Sequence, residues 1–323
     1  MLTKKQKYLF WGLFALIFIS ILLVATFYDL QISQLLASKD LINGNFYSVN
    51  KFARFFEVVG EMPLYLFVMF ACAILIVNFF NLKNKVLSRI LQALFFVIGV
   101  GVAVYGFMHF VGYLADFYPE TFKEIEESKL SILIYLVIDA ALQFLLTFLI
   151  FTKFKNNIKE LTIIAVIILI TAALSNGIVQ GIKPFAARER FRAFYYFEYR
   201  NVAHQGFTNW YIFNGSAKEI AATYPEELNV TKSFYTSFPS GHTCGAAITY
   251  TMMFFPVFID KLNKKKTSWI FIAIPVVYTG IVAFTRILIG AHYLSDVLFG
   301  GTITFISAII AYYIVKKFIG KKA

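Results

Sequence analysis

Eight apolar windows, each near 20 residues, limit what this 323-residue chain can become. They lie at 8–27, 64–81, 90–113, 131–152, 161–180, 241–259, 269–287 and 293–315. A helix of about 20 apolar residues matches the hydrocarbon thickness of a bilayer. It also satisfies its own backbone in lipid, which a lone strand cannot. The expected class is an all-α integral membrane protein with about eight transmembrane helices. Hydrophobic residues form 59% of the chain, above the roughly 45–50% of a soluble domain. The first window follows Lys4, Lys5 and Lys7, is long for the apolar part of a signal peptide and precedes no small-residue cleavage site. It reads as a signal anchor. No low-complexity linker or internal repeat divides the windows.

The formal net charge is +12, and its distribution decides between two meanings. Alternate connections and the tails hold Lys4/Lys5/Lys7, Lys83/Lys85/Arg89, Lys153/Lys155/Lys159, Lys261/Lys264/Lys265/Lys266 and Lys316/Lys317/Lys321/Lys322, or 17 of the 30 basic residues. Only Glu160 and Asp260 lie beside them. Asp116, Glu120, Glu124, Glu126 and Glu127 fall on the other side. This is the positive-inside pattern, with both termini cytoplasmic in a cell membrane. The charge is a topology signal, and a nucleic-acid partner is excluded. Segments 28–63 and 182–240 then face outward. The second contains RERFRAFYYFEYRN and is expected to lie along the outer headgroup layer, an ordinary structured outer loop being the alternative, with Arg188 and Arg192 solvated beside Arg190 rather than assisting it. Cys72 and Cys244 sit in apolar windows, so neither a disulfide framework nor a thiolate metal site is expected.

Three polar clusters interrupt the apolar pattern on that outward side. The first runs from Lys183 to Arg190, the second is Pro239-Ser240-Gly241-His242, and the third spans Thr285-Arg286, His292 and Asp296. Lys183, Arg190 and Arg286 bring positive charge suited to phosphate oxygens. Gly241 lets backbone approach a ligand, and helix N-termini beginning here favour an anion. His292 and Asp296 are four apart, so a carboxylate faces an imidazole on one helix. His242 is available as a general acid or base.

These spacings resemble the signature of the type-2 phosphatidic acid phosphatase superfamily: Lys, six residues, Arg-Pro; then Pro-Ser-Gly-His; then Ser-Arg, five residues, His, three residues, Asp. Phe191 stands in place of the Pro and Thr285 in place of the Ser. The resemblance covers about residues 160–316. It implies a six-helix core, with about two extra N-terminal spans: residues 1–90 as N-terminal helices with an outer loop, and 91–323 as the lipid-phosphatase-like core. It also implies metal-independent catalysis without a cofactor. His292 would be the nucleophile, helped by Asp296, and His242 the acid and then base. Lys183, Arg190, Ser240, Gly241 and Arg286 would hold phosphate. The substrate would be a lipid phosphate in the bilayer; undecaprenyl pyrophosphate, phosphatidylglycerol phosphate and phosphatidic acid are candidates.

Two other readings remain. One is a lipid phosphotransferase built on the same site. The other is a polytopic transporter or lipid-binding protein using Asp139, which sits mid-window with Gln143 one turn on and His109 as a possible partner. An ionisable group at that depth is a functional candidate by default.

Overall fold

A computed structural model describes residues 4–41, 44–264 and 268–320. Lys265, Lys266, Lys321 and Lys322 lie outside the described residues, as do the side chains of Lys4, Lys5 and Lys7. Among the described residues the regular structure is helical, without strands. In chain order the α-helices are α1 (Lys4–Ala37), α2 (Lys51–Val59), α3 (Met62–Phe79), α4 (Lys85–Phe117), α5 (Pro119–Glu127), α6 (Lys129–Lys153), α7 (Ile158–Ala186), α8 (Phe191–Tyr199), α9 (Ala217–Ala221), α10 (Gly241–Ala247), α11 (Phe255–Phe258), α12 (Ile270–Leu288) and α13 (Leu294–Gly320). Seven helical segments are long and apolar enough to cross a membrane, carried by α1, α2–α3, α4, α6, α7–α8, α12 and α13.

The remaining expected span, 241–259, is helical but broken. α10 passes into a 3₁₀ stretch at Ile248–Phe254 and then into α11. The Thr249 and Thr251 hydroxyls donate to the carbonyls of Ala246 and Ile248, three residues back, both at 2.8 Å. Such local bonds favour the tighter turn, and Pro256 opens α11.

The chain divides into two compact units. The first comprises residues up to Arg54, Val179–Gly241 and Ala283–Thr302. Most of α1 is exposed there, but Ala25, Asp29, Ser33 and Ala37 are buried. That four-residue spacing makes a single helical stripe. The aromatic-basic segment differs from the expected surface belt. Its rings fold on one another into a small core of Ala187, Ala193, Phe197, Ala217, Ala221, Phe234 and Tyr235. Phe46 stacks on Phe234 at 4.2 Å between centroids, and the Arg192 guanidinium lies 4.3 Å from the Phe46 ring. The expectation that Arg188 and Arg192 are solvated is therefore corrected. Arg192 is buried by this stacking, and Arg188 by an ion-pair network described below.

The second unit holds Phe55–Ile178, His242–Val282 and the chain from Ile303 onward. α3 is apolar on every side and is the buried centre, as expected of a helix without a polar face. Ala71, Ile74, Leu75 and Val77 from α3 pack with Ile150 of α6 and with Leu161, Ile164, Ala165 and Ile168 of α7. Helices in lipid associate through close packing at small residues. Gly99, Ala103 and Gly106 supply such a face on α4. A Cβ on Gly106 would come within 2.5 Å of the Tyr65 ring, and one on Gly99 within 2.8 Å of the Gln143 amide.

Candidate active site

The first unit gathers Lys183, Arg190, Ser240, Gly241, Arg286, His292 and Asp296. Residues 234–240 form the strap that connects them. The Arg190 backbone N–H donates to Phe234 O at 2.9 Å, Ser237 N–H to Arg188 O at 3.1 Å and Ser240 N–H to Asp296 O at 3.0 Å. Lys183 Nζ donates to Thr236 O at 3.1 Å and Arg190 Nη2 to Thr236 Oγ1 at 3.3 Å. The two cations therefore lean on one strap residue. A Cβ on Gly241 would lie 3.7 Å from Lys183 Nζ, so this glycine borders the cationic group.

α12 ends just before His292. Gly290 takes φ +65° and its N–H bonds Ile287 O at 2.9 Å, while the N–H groups of Ala291 and His292 both bond Arg286 O. A left-handed glycine closing the last turn is a common helix stop. Gly290 O also accepts from Arg192 N at 2.8 Å, and a Cβ at Gly290 would meet Arg192 N at 3.1 Å and Phe191 Cδ1 at 3.2 Å. Gly290→Ala should destabilise the protein by about 1–3 kcal/mol, because it combines left-handed strain with crowding. Thermal denaturation in detergent would read this as a lowered midpoint; an unchanged midpoint would contradict it.

Phe191 occupies the first position of α8, where proline is favoured for its fixed φ. Here the phenyl ring is buried and packs with Ala37, Leu41 and Tyr293. The helix start is kept and apolar packing is gained. Thr285, the other departure, is fully buried.

α13 begins immediately after Tyr293, and its first turn positions Asp296. Asp296, in the first turn, accepts from the Tyr293 backbone N–H at 2.8 Å through Oδ2. This is the returning half of a capping box. The same oxygen accepts the Ser237 hydroxyl. The expectation that His292 and Asp296 face each other on one helix is corrected: His292 lies just before α13, and only Asp296 is on it. His292 Nδ1 lies 2.6 Å from Ser237 O but 3.7 Å from Asp296 Oδ2. A carbonyl only accepts, so Nδ1 carries the hydrogen and Asp296 acts on the ring through Ser237. Nε2 is left with the lone pair. That atom is buried and has no hydrogen-bond partner among the described residues. Burial holds the imidazole pKa well below 6.5; Asp296 opposes the shift, while Arg190, Lys183 and Arg286 add to it. His292 should therefore remain neutral, protonated on Nδ1, below pH 6.5. Nitrogen-15 imidazole spectra in detergent check this, and titration at or above pH 6.5 would refute it.

Sequence reasoning missed Asp29, Ser237 and Ser295, and misjudged Arg188. The Arg188 guanidinium is 1% exposed. It donates to Asp296 Oδ1 at 2.6 Å, Asp29 Oδ2 at 3.0 Å, Ser295 Oγ at 2.7 Å and Thr208 O at 2.8 Å. Tyr293 lies beneath it at 4.2 Å.

His242 belongs to the second unit. Its Nε2 donates to Glu57 O at 3.0 Å, its Nδ1 lies 3.9 Å from Glu61 Oε2, and Tyr113 meets its ring edge-on at 5.1 Å. His109 was considered as a partner for Asp139. Instead its Nδ1 is 3.2 Å from Glu61 Oε1. His204, the remaining histidine, bonds Glu189 at 2.8 Å and stacks on Phe197.

The family model of the PAP2 superfamily matches residues 160–319. Over that segment, about half of its length, the chain resembles the PAP2 superfamily. Lys183, Arg190, Pro239–His242, Arg286, His292 and Asp296 all fall within the match, whereas α1 to α6 precede it. No curated protein and no solved structure matches the chain.

Proposed function

We propose that this protein is a membrane lipid phosphate phosphatase, hydrolysing a phosphomonoester or pyrophosphate lipid through a phosphohistidine. The observation that carries the reading is the buried Nε2 of His292, which has no hydrogen-bond partner among the described residues. Its ring is fixed by Ser237 O, and the charges of Arg190, Lys183 and Arg286 bear on it. A neutral imidazole with one hydrogen-bonded nitrogen is a ready nucleophile.

In the first step His292 Nε2 bonds to phosphorus as the phosphorus–oxygen bond to the lipid breaks. His242, which follows Gly241 directly in the chain, is assigned by the family resemblance to give the leaving oxygen its proton. In the second step His242 takes a proton from water, the hydroxyl oxygen bonds to phosphorus, and the phosphorus–nitrogen bond breaks to release phosphate. Lys183, Arg190, Arg286 and the backbone at Ser240 and Gly241 hold the phosphoryl oxygens. Such positioned charge is usually the largest catalytic term. With both termini cytoplasmic by charge distribution, the reaction faces the outer leaflet of a cell membrane. Phosphatidic acid, phosphatidylglycerol phosphate and undecaprenyl pyrophosphate are the substrates to compare. Transfer of the phosphoryl group to an acceptor other than water would use the same first step.

The test is phosphate release from that lipid panel by purified protein in detergent with EDTA, with rapid acid or alkaline quenching of the ³²P-labelled enzyme. Release together with an acid-labile, alkali-stable label supports the reading. No release and no label from any of the lipids would overturn it.

A polar stripe in α6 is what favours the transporter alternative. Ser131, Tyr135, Asp139 and Gln143 are all buried at four-residue spacing, and Tyr135 Oη, Asp139 Oδ2 and both Gln143 amide atoms have no hydrogen-bond partner among the described residues. The phosphatase reading expects Asp139→Asn to change phosphate release by less than about twofold. A loss beyond tenfold in well-folded protein would favour the alternative.

A further inference from the structure

We infer that Asp29, on the first membrane helix, is a positioning residue for His292 and Asp296; the inference rests on the phosphatase reading. Asp29 lies outside the segment matched by the family model. It is 2% exposed, on the single buried stripe of a helix whose other faces are largely exposed. A carboxyl group on a membrane helix is costly unless it meets a partner, and here the partners are specific. Oδ1 accepts the Ser295 backbone N–H at 3.0 Å. Oδ2 accepts Arg188 Nη2 at 3.0 Å and the Ser295 hydroxyl.

The bonds lead toward His292 by two routes, one through Ser295 and the start of α13 and one through Arg188, Asp296 and Ser237. Ser295 is the second residue of α13, so its N–H is one of the donors a helix start leaves unpaired. Asp29 caps that donor from another helix, while Asp296 caps Tyr293 N within the same turn. His292 immediately precedes Tyr293, so the direction of this first turn sets the direction of the imidazole. Arg188 is shared between Asp29 and Asp296 at 3.0 and 2.6 Å. Without Asp29 the guanidinium would lose one of its two carboxylate anchors and could shift, and with it Asp296, the group that holds Ser237 and through it His292 Nδ1. The N-terminal helix thus supplies a fixed point for a site whose named chemical groups all lie elsewhere.

The experiment compares wild type, Asp29→Asn and Ser295→Ala in detergent, using dioctanoyl phosphatidic acid with a ³²P-labelled phosphate. Rapid quench measures both the labelled fraction of enzyme and the rate of labelling, beside kcat and KM. For Asp29→Asn the labelled fraction should stay within about twofold of wild type. The labelling rate and kcat should fall 10- to 100-fold, and KM should change less than threefold. A purely structural role predicts the opposite, a smaller labelled fraction with an unchanged rate per labelled site, and that result would overturn the inference. So would an unchanged rate. If Asp29→Asn does not yield monodisperse protein, Ser295→Ala decides. It removes the hydroxyl, with its bonds to Asp29 and to Arg188, while leaving the Ser295 N–H and Arg188 contacts of Asp29 itself, and should slow labelling 3- to 10-fold; wild-type speed would overturn the inference. Wild type that neither labels nor releases phosphate from any lipid defeats the phosphatase reading and this inference together. Active wild type with an indifferent Asp29→Asn defeats this inference alone.

Discussion

His292→Ala should lower phosphate release by roughly 10⁴- to 10⁶-fold, the scale seen when a covalent nucleophile is deleted. The variant should still fold. It loses one ring hydrogen bond, from Nδ1 to Ser237 O, and such a bond contributes about 1 kcal/mol. Lys183→Ala gives the contrast. Lys183 is one of three cations acting on the site, so its loss should cost only about 10²- to 10³-fold, the scale for one charge-stabilising donor. The measurement is kcat for both variants on the best lipid of the panel, with size-exclusion elution as the folding control. Residual His292→Ala activity above about 1% of wild type would place the nucleophile elsewhere.

The membrane class was legible in sequence because apolar runs near 20 residues have few other uses. The motifs were legible because spacing and residue type survive in one dimension. Their coupling was not. His292 and Asp296 at four-residue spacing suggest a direct bond, yet the 3.7 Å separation and the intervening Ser237 depend on where a strap 55 residues away crosses. Arg188 read as an interfacial arginine because nothing local announces a partner; its carboxyl groups are 159 and 108 residues distant. Asp29 fell just past the first apolar window, and only the extension of α1 to Ala37 puts it on a buried stripe. The stripe Ala25, Asp29, Ser33 and Ala37 was the available signal, since small and polar residues every fourth position on a lipid-exposed helix mark its packed side. The break in the 241–259 helix was hidden for a different reason. Threonine hydroxyls choose between solvent and backbone according to burial, which composition does not report.

Arg188→Met should be the most destabilising single change in the first unit. It leaves Asp29 and Asp296, exposed 2% and 0%, facing each other without their shared counter-charge. Removing one member of a buried ion-pair network typically costs 3–5 kcal/mol, because the remaining charge stays desolvated. Arg188→Lys should recover only part of this. Arginine supplies separate donors to Thr208 O, Ser295 Oγ, Asp296 and Asp29, and a lysine ammonium cannot reproduce that planar fork. The cause is testable by a double variant. Asp29→Asn combined with Arg188→Met removes one of the two stranded carboxylates, so the pair should be more stable than Arg188→Met alone, a coupling expected of residues in one network. Thermal denaturation in detergent, followed by intrinsic fluorescence, reads wild type, Asp29→Asn, Arg188→Met, Arg188→Lys and the double variant. Stability losses that simply add would mean that Arg188 serves as packing. A double variant that recovers stability but not phosphate release would separate the two roles of the network: neutralising buried charge, which a neutral asparagine can relieve, and aiming Asp296 toward Ser237, which needs the guanidinium.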